Sequence, residues 1–306
     1  MRKKILAGIL TICMTITMTP AMVFASTDSS ERAPAPPADV IGLDSAAVKD
    51  HTAKVSTSSE SGVADRNGVF YPSVQEAIDS AQEGDFITLH ADTNESITID
   101  KHITLDLNGK KLFTTEATDT ITVEGPAAIK NGYVFNLTEN PSDLKSAIYV
   151  AYTAVIEDVT ATISGTEQDD YQGAVFYVEG NTAFTNCEVF YDNELVSKND
   201  YFDGVYVAAD AHAELSSCSI ETISGDCAYI DGSADLTGCY MAADSEYSSA
   251  VYLGKNAGTV NIHSGYYYGD TPLYSDTAKP VCTIYEGEFS SAYEDIPVVD
   301  GSVSGY

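Results

Sequence analysis

The chain has 306 residues, 44% of them hydrophobic and 20% charged, with no tryptophan. It is long and apolar enough to bury a core, which excludes global disorder. Its 15 basic and 46 acidic residues give a net charge of −31, and a polyanion of that size repels nucleic acid and anionic lipid, so neither is expected as a partner.

In chain order, a targeting pattern comes first. Arg2, Lys3 and Lys4 precede an apolar, Thr-rich run from Ile5 to Phe24, and Val23 and Ala25 are the small residues expected at a cleavage site. Residues 1–25 therefore read as a signal peptide cut before Ser26, and the product as secreted. Pro20 breaks the run and no second one follows, so no retained membrane helix is expected. Losing the peptide removes three positive charges and leaves −34. Residues 26–66 are rich in Ser, Ala, Thr and Pro, as in Ala33-Pro34-Ala35-Pro36-Pro37, with no sustained apolar period. Such a stretch cannot offset its ordering entropy by burial and reads as a disordered linker.

The pattern changes near Tyr71. Val74, Ala77, Ile78 and Ala81 form one apolar face of a short helix over 73–83. Ser73 and Glu76 make a capping box, and Gly84 stands where a left-handed C-terminal residue belongs. Strand triplets follow at Ile87-Thr88-Leu89, Ile97-Thr98-Ile99, Ile103-Thr104-Leu105 and Ile121-Thr122-Val123.

The second half is built on a repeat. Apolar-Tyr-apolar cores, or a close variant, centre on Tyr149, Tyr177, Tyr206, Tyr229, Tyr252 and Tyr274, spaced 28, 29, 23, 23 and 22 residues apart. Each is followed by a second short strand with an inward position at Ile156, Phe184, Leu215, Leu236, Ile262 and Ile284. Three residues further on comes a column of small residues: Val159, Cys187, Cys218, Cys239, Gly265 and Gly287. Short strands at this period with no interior helix predict an all-β chain. It should wind as a single-stranded right-handed parallel β-helix of about nine coils over 67–292, roughly 45 Å long at the usual strand spacing. The helix would plug the first coil and hide its unpaired edge. A β-sandwich is the alternative, but it would not set Tyr at six matching positions.

The stretch from Val74 through Glu83-Gly84-Asp85 into Ile87-Thr88-Leu89, then Ile103-Thr104-Leu105-Asp106-Leu107-Asn108-Gly109 and the coils, resembles the pectin-lyase-like right-handed β-helix proteins. The resemblance covers about residues 69–292. It implies the fold and leaves activity open, because that scaffold hosts lyases, hydrolases, adhesins and passive rods.

Five cysteines remain after Cys13 is removed, with no C-x-x-C pair, which speaks against zinc and thioredoxin-type chemistry. Cys187, Cys218 and Cys239 read as a ladder of buried thiols, with a Cys218–Cys239 disulfide as the other option. The six tyrosines form an outward strip that would either stack against sugar rings or stabilise the sheet through like-on-like pairs. Loops before the tyrosine strands are acidic: Asp169-Asp170-Tyr171, Asp192 to Asp203 (with Glu194 and Asp200), Asp226, Asp244-Ser245-Glu246-Tyr247 and Asp270. In the resembled lyases, loops of this region form the cleft and carry calcium-binding carboxylates. Here no calcium-loop spacing occurs, so no cofactor is expected beyond weak Ca²⁺ binding, and a solvated edge is the simpler reading.

A lyase of the resembled kind needs a base. The arginines beyond the signal peptide, Arg32 and Arg66, precede the coils. Lys198, with Asp192, Asp200 and Asp203, is the one constellation that could serve a polysaccharide lyase or glycoside hydrolase. The five histidines are scattered without metal-like spacing. Ice binding by the Thr triplets is disfavoured by their irregular spacing. The expectation is a secreted, adhesin-like, non-catalytic rod, released or held non-covalently at a cell surface. Its tyrosine strip and acidic loops, Asp169 and Asp170 included, would meet glycan or a surface protein. Residues 293–306 form a polar tail, and either they or a partner must cover the last coil.

Overall fold

A computed structural model describes residues 61–138, 145–164, 173–190, 202–245, 247–277, 281–291 and 298–299. The expected signal peptide and most of the expected linker lie outside the described residues, as do Asp169, Asp170, Asp192, Lys198 and Asp200.

The triplets become strands because their alternation matches the pleat. Ile148 and Val150 are fully buried on either side of the half-exposed Tyr149, and Ile121–Val123, Ala228–Ile230 and Cys282–Ile284 repeat the pattern. Each buried Val, Leu or Ile contributes roughly 1.5–3 kcal/mol relative to exposure. After the N-terminal hairpin every ladder is parallel, one coil stacking on the next. The tyrosine sheet contains eight strands: Ile97–Ile99, Ile121–Val123, Ile148–Val150, Gly173–Val178, Phe202–Val207, Ala228–Ile230, Ser249–Leu253 and Thr271–Ser275. They pair in that order. The chain is thus a parallel β-helix, with the tyrosines aligned rung to rung.

The other strands form two ladders within one second sheet. In the first, Ile156, Phe184, Leu215, Leu236, Ile262 and Ile284 are successive partners, all at most 1% exposed. The corner between the ladders is a single residue per coil in the left-handed region: Asn131 (φ 60°), Asp158 (φ 53°), Asn186 (φ 52°), Ser217 (φ 56°) and Gly238 (φ 63°). Small polar residues and glycine tolerate that conformation best. The small column follows directly after these corners. Thiols fill it at Cys187, Cys218 and Cys239, where the neighbouring inward residues are Val189, Ile220 and Met241. It turns to glycine where aromatic rings enter the core. A Cβ at Gly265 would lie 2.9 Å from the Tyr267 hydroxyl, and one at Gly287 3.1 Å from the Phe289 ring.

The N-terminal end is closed in two ways. Ala64–Arg66 pairs antiparallel with both Val69–Tyr71 and Phe86–Leu89, covering the first rung of the second sheet. The first strand therefore begins inside the stretch expected as linker. Helix α1 spans Val74–Asp79, shorter than the expected 73–83, with the Ser73 side chain accepting from the Glu76 N–H. It stops at Ser80 because a turn takes over: Asp85 N–H bonds the Gln82 carbonyl and the Asp85 carboxylate accepts from Gln82 N–H. Gly84 (φ 84°) then swings the chain into the strand. Val74, Ala77 and Ile78 are fully buried. Glu95 accepts from the backbone N–H groups of Val74 and Gln75 at the helix start.

At the other end, Val298–Val299 returns to pair in parallel with Cys282 and Thr283, so part of the C-terminal tail covers that rung. The Thr triplets divide between faces: Thr98 and Thr122 are partners in the tyrosine sheet, whereas Thr88 and Thr104 lie in the second sheet. Among the described residues no helix is long and apolar enough to cross a membrane.

Candidate functional site: a tyrosine ladder and a cup over Ala242

The outward tyrosines meet one another. Ring centroids from Tyr149 to Tyr274 are successively 5.5, 4.8, 5.2, 4.6 and 4.9 Å apart, and from Tyr177 to Tyr252 the planes lie within 12–26° of each other. Parallel rungs force this, because like residues in register repeat at the strand spacing, which is close to aromatic stacking distance. The interior rings are therefore covered on both faces and show solvent their edges and hydroxyls. Tyr274, 43% exposed, ends the ladder.

Carboxylates flank this column. The Tyr149 hydroxyl donates to Glu179, and the Tyr252 hydroxyl to Asp276 at 2.7 Å, each acid lying one coil beyond its tyrosine. Burial, then Tyr177 and Asp231, push the Tyr206 phenol up to about 12. Tyr149 and Tyr252 are raised by burial and by their carboxylate partners. All three stay protonated donors at neutral pH.

Open aromatic surface lies elsewhere, on the second ladder of the second sheet. In Cys239–Ala243, Cys239, Met241 and Ala243 point inward, and Tyr240 and Ala242 point outward. Ala242 has Glu221 as its partner on one side and Tyr268 on the other. A methyl group between two long side chains leaves a cup. Ala242 is its floor and Glu221 and Tyr268 are opposite walls; Tyr240 and Asp244, two residues either side of Ala242, complete the rim with Asp270. The cavity measures about 690 Å³, within the range of small-ligand sites. Tyr240 and Tyr268 make a tilted pair, 5.7 Å apart at 46°, and both are 39% exposed. Burial, then the Glu221 carboxylate, raise the Tyr240 phenol. Ser290 Oγ donates to the Gly269 carbonyl at 2.7 Å and accepts from its N–H, holding the far rim. Ser245 adds a hydroxyl to the lining, whereas the buried Thr222 hydroxyl donates to the Gly225 carbonyl at 2.7 Å.

The described acidic positions among those singled out in the sequence separate into two kinds. Asp244 and Asp270 reach the cup. Asp203 and Asp226 turn inward on consecutive coils, 2% and 1% exposed. Asp203 accepts from Asp226 N–H at 2.9 Å, and Asp226 from Ser249 N–H at 2.6 Å. Burial, then the Asp226 charge, push the Asp203 carboxyl well up. Asp203 thus sits in the interior.

Two further clusters come together. Cys187, Cys218 and Cys239 fall on successive rungs, all buried and free. Bonds to Cys218, then burial, push the Cys187 and Cys239 thiols up. Burial raises Cys227 and Cys282 to about 12. The scattered histidines also converge: His212 Nε2 lies 3.5 Å from one oxygen of Asp235, and His263 Nε2 3.2 Å from the other. His263 stacks on Tyr285. Burial raises the Asp235 carboxyl, but hydrogen bonds from Asn261 and His263 and the His212 charge outweigh it, so the net shift is downward. Among the described residues no group of three or more His, Cys, Asp or Glu is placed to hold a metal ion.

The cup was missed in the sequence, and its one signal was Ala242 in an outward column otherwise occupied by Glu221 and Tyr268. No protein-family model matches this chain, and a search of curated proteins finds no match.

Proposed function

We propose that this protein is a secreted, adhesin-like β-helix that binds glycan outside the cell, with the Ala242 cup as its principal contact. The reading takes it as a non-enzymatic member of the pectin-lyase-like group, without nucleic-acid or lipid partners. The observation that carries it is the cup itself: an open pair of tyrosine rings beside carboxylates and hydroxyls in a cavity of about 690 Å³. Sugars are recognised by that mixture, the apolar face of the ring on an aromatic and the hydroxyls on carboxylates. The tyrosine ladder serves as the rigid scaffold, since its interior ring faces are already occupied.

Charge and the N-terminal pattern support the rest. A mature charge of −34 keeps such a rod soluble and apart from anionic polymers, and the signal-peptide pattern of residues 1–25 sends it out of the cell.

A second reading, a glycoside hydrolase, draws on the same lining, because Glu221, Asp244 and Asp270 set several carboxyl groups around one cavity and glycoside hydrolysis uses two. One experiment separates these. The secreted chain is incubated with plant, mucin and bacterial polysaccharides, and both retention on the polymer and new reducing ends are measured, beside Ala242→Tyr. Retention without cleavage, lost in the variant, is the expected result. Cleavage lost in the variant would establish the hydrolase, and retention unchanged in the variant would remove the cup from the account.

A further inference from the structure

We propose that the Ala242 cup selects an amine-bearing sugar, such as a glucosamine unit of a β-linked polymer, over neutral, N-acetylated or acidic sugars. This rests on the glycan-binding reading above and specifies its ligand class. The cup offers two surfaces that such a ligand needs at once. Tyr240 and Tyr268 present exposed ring surface, against which the apolar face of a sugar ring packs and a nearby ammonium gains cation–π attraction. Glu221, Asp244 and Asp270 stand around the same floor, where ammonium groups form charge-assisted hydrogen bonds.

Among the described residues the lining contains no Lys, Arg or His, so none of these residues neutralises the carboxylates or receives an anionic sugar. Glu221 also acts on the aromatic wall directly, since its charge helps raise the Tyr240 phenol. An uronate would meet like charge on several sides. An acetylated amine would keep the ring contact and lose the charge. A hydrated metal ion has no apolar face to pack on the aromatic wall, and among the described residues no metal-holding group occurs. A single lysine side chain is a narrow stem, whereas a cavity of about 690 Å³ accommodates a sugar unit and part of its neighbour.

The test titrates the full secreted chain with a glucosamine tetrasaccharide, its N-acetylated counterpart, a glucose tetrasaccharide and oligolysine, at low and high salt. The glucosamine oligomer should bind about tenfold or more tighter than the acetylated one, with the margin shrinking in salt. The Glu221→Gln/Asp244→Asn/Asp270→Asn variant should erase that preference while keeping residual binding and an unchanged melting temperature. Ala242→Tyr retains every charge of the protein and should abolish binding of all the sugars. If it still binds the glucosamine oligomer, attraction to the acidic surface at large explains the effect and the proposal fails. Equal or tighter binding of the acetylated oligomer overturns the amine preference and leaves glycan binding standing. Equal displacement by oligolysine overturns the sugar class in favour of a basic peptide. Absence of binding by every oligosaccharide to the unmodified chain overturns the glycan reading itself.

Discussion

Tyr229 and Tyr252 lie 4.6 Å apart between ring centroids and 12° from parallel, so each ring is the other's contact surface. An aromatic strip that looks like a sugar platform in the sequence is, for its interior members, a stack that packs on itself. Removing an interior ring should therefore register as lost stability. Tyr229→Ala breaks two stacks and should cost about 1–3 kcal/mol at roughly 0.5–1.5 kcal/mol per aromatic pair. Tyr274→Ala breaks one and should cost about half as much. Urea unfolding of the two variants checks the ratio, and equal losses would contradict the stacking account.

Gln75 closes the free edge of the tyrosine sheet. Its side-chain amide accepts from Thr98 N–H at 2.8 Å and donates to the Thr98 carbonyl at 3.2 Å, in place of a neighbouring strand. Gln75→Ala should lose about 1–3 kcal/mol and bare a strand edge that recruits other chains. Melting curves and light scattering on the variant should show a lower midpoint and concentration-dependent aggregation. A monodisperse variant of unchanged midpoint would refute the edge-capping role.

Asp203 makes stability depend on pH in a stated direction. Its folded carboxyl titrates well above the ordinary value because it is buried beside Asp226. Between about pH 4, where an unfolded Asp ionises, and that raised value, the folded state holds the proton more tightly. Stability contributed by the neutral carboxyl is therefore full below pH 4 and declines as pH rises through the folded value. Asp203→Asn keeps an oxygen to accept from Asp226 N–H and carries no charge. It should raise the melting temperature at pH 7, with little effect at pH 4. A lower melting temperature at pH 7 would contradict the assignment.

All five thiols of the described chain are free and buried. A thiol reagent should leave the native protein unlabelled and modify all five after denaturation, since burial hides the thiols from the reagent. Recovery of three instead of five would indicate a disulfide between adjacent rungs, such as Cys218 and Cys239.

Much of the fold is legible because register repeats. A rung-to-rung ladder forces residues of one kind into columns, so Tyr at six positions and Leu215, Leu236 and Ile262 behind them announce the coil. The corners were less visible: Asn186, Ser217 and Gly238 share only a left-handed backbone, which no side-chain type marks by itself. Asp203 was read with the acidic loop before it, although it keeps the parity of inward-facing Val205 and Val207; extending the alternation by one step would have placed it in the core. His212 and His263 meet across Asp235 because they stand on rungs either side of it, a relation that chain spacing hides. The cup was the least legible feature, because it is made by what Ala242 lacks.

The most direct test sets the cup against the ladder in a single binding titration of the glucosamine tetrasaccharide. Ala242→Tyr fills the cup with a side chain that the neighbouring rung already carries at Tyr268, on an outward strand position where an aromatic is well tolerated. Tyr206→Ala/Tyr229→Ala removes two interior rings of the ladder. Binding should vanish in the first variant and persist in the second. Loss of binding in the second, with the first unaffected, would place the ligand on the tyrosine ladder and contradict the account.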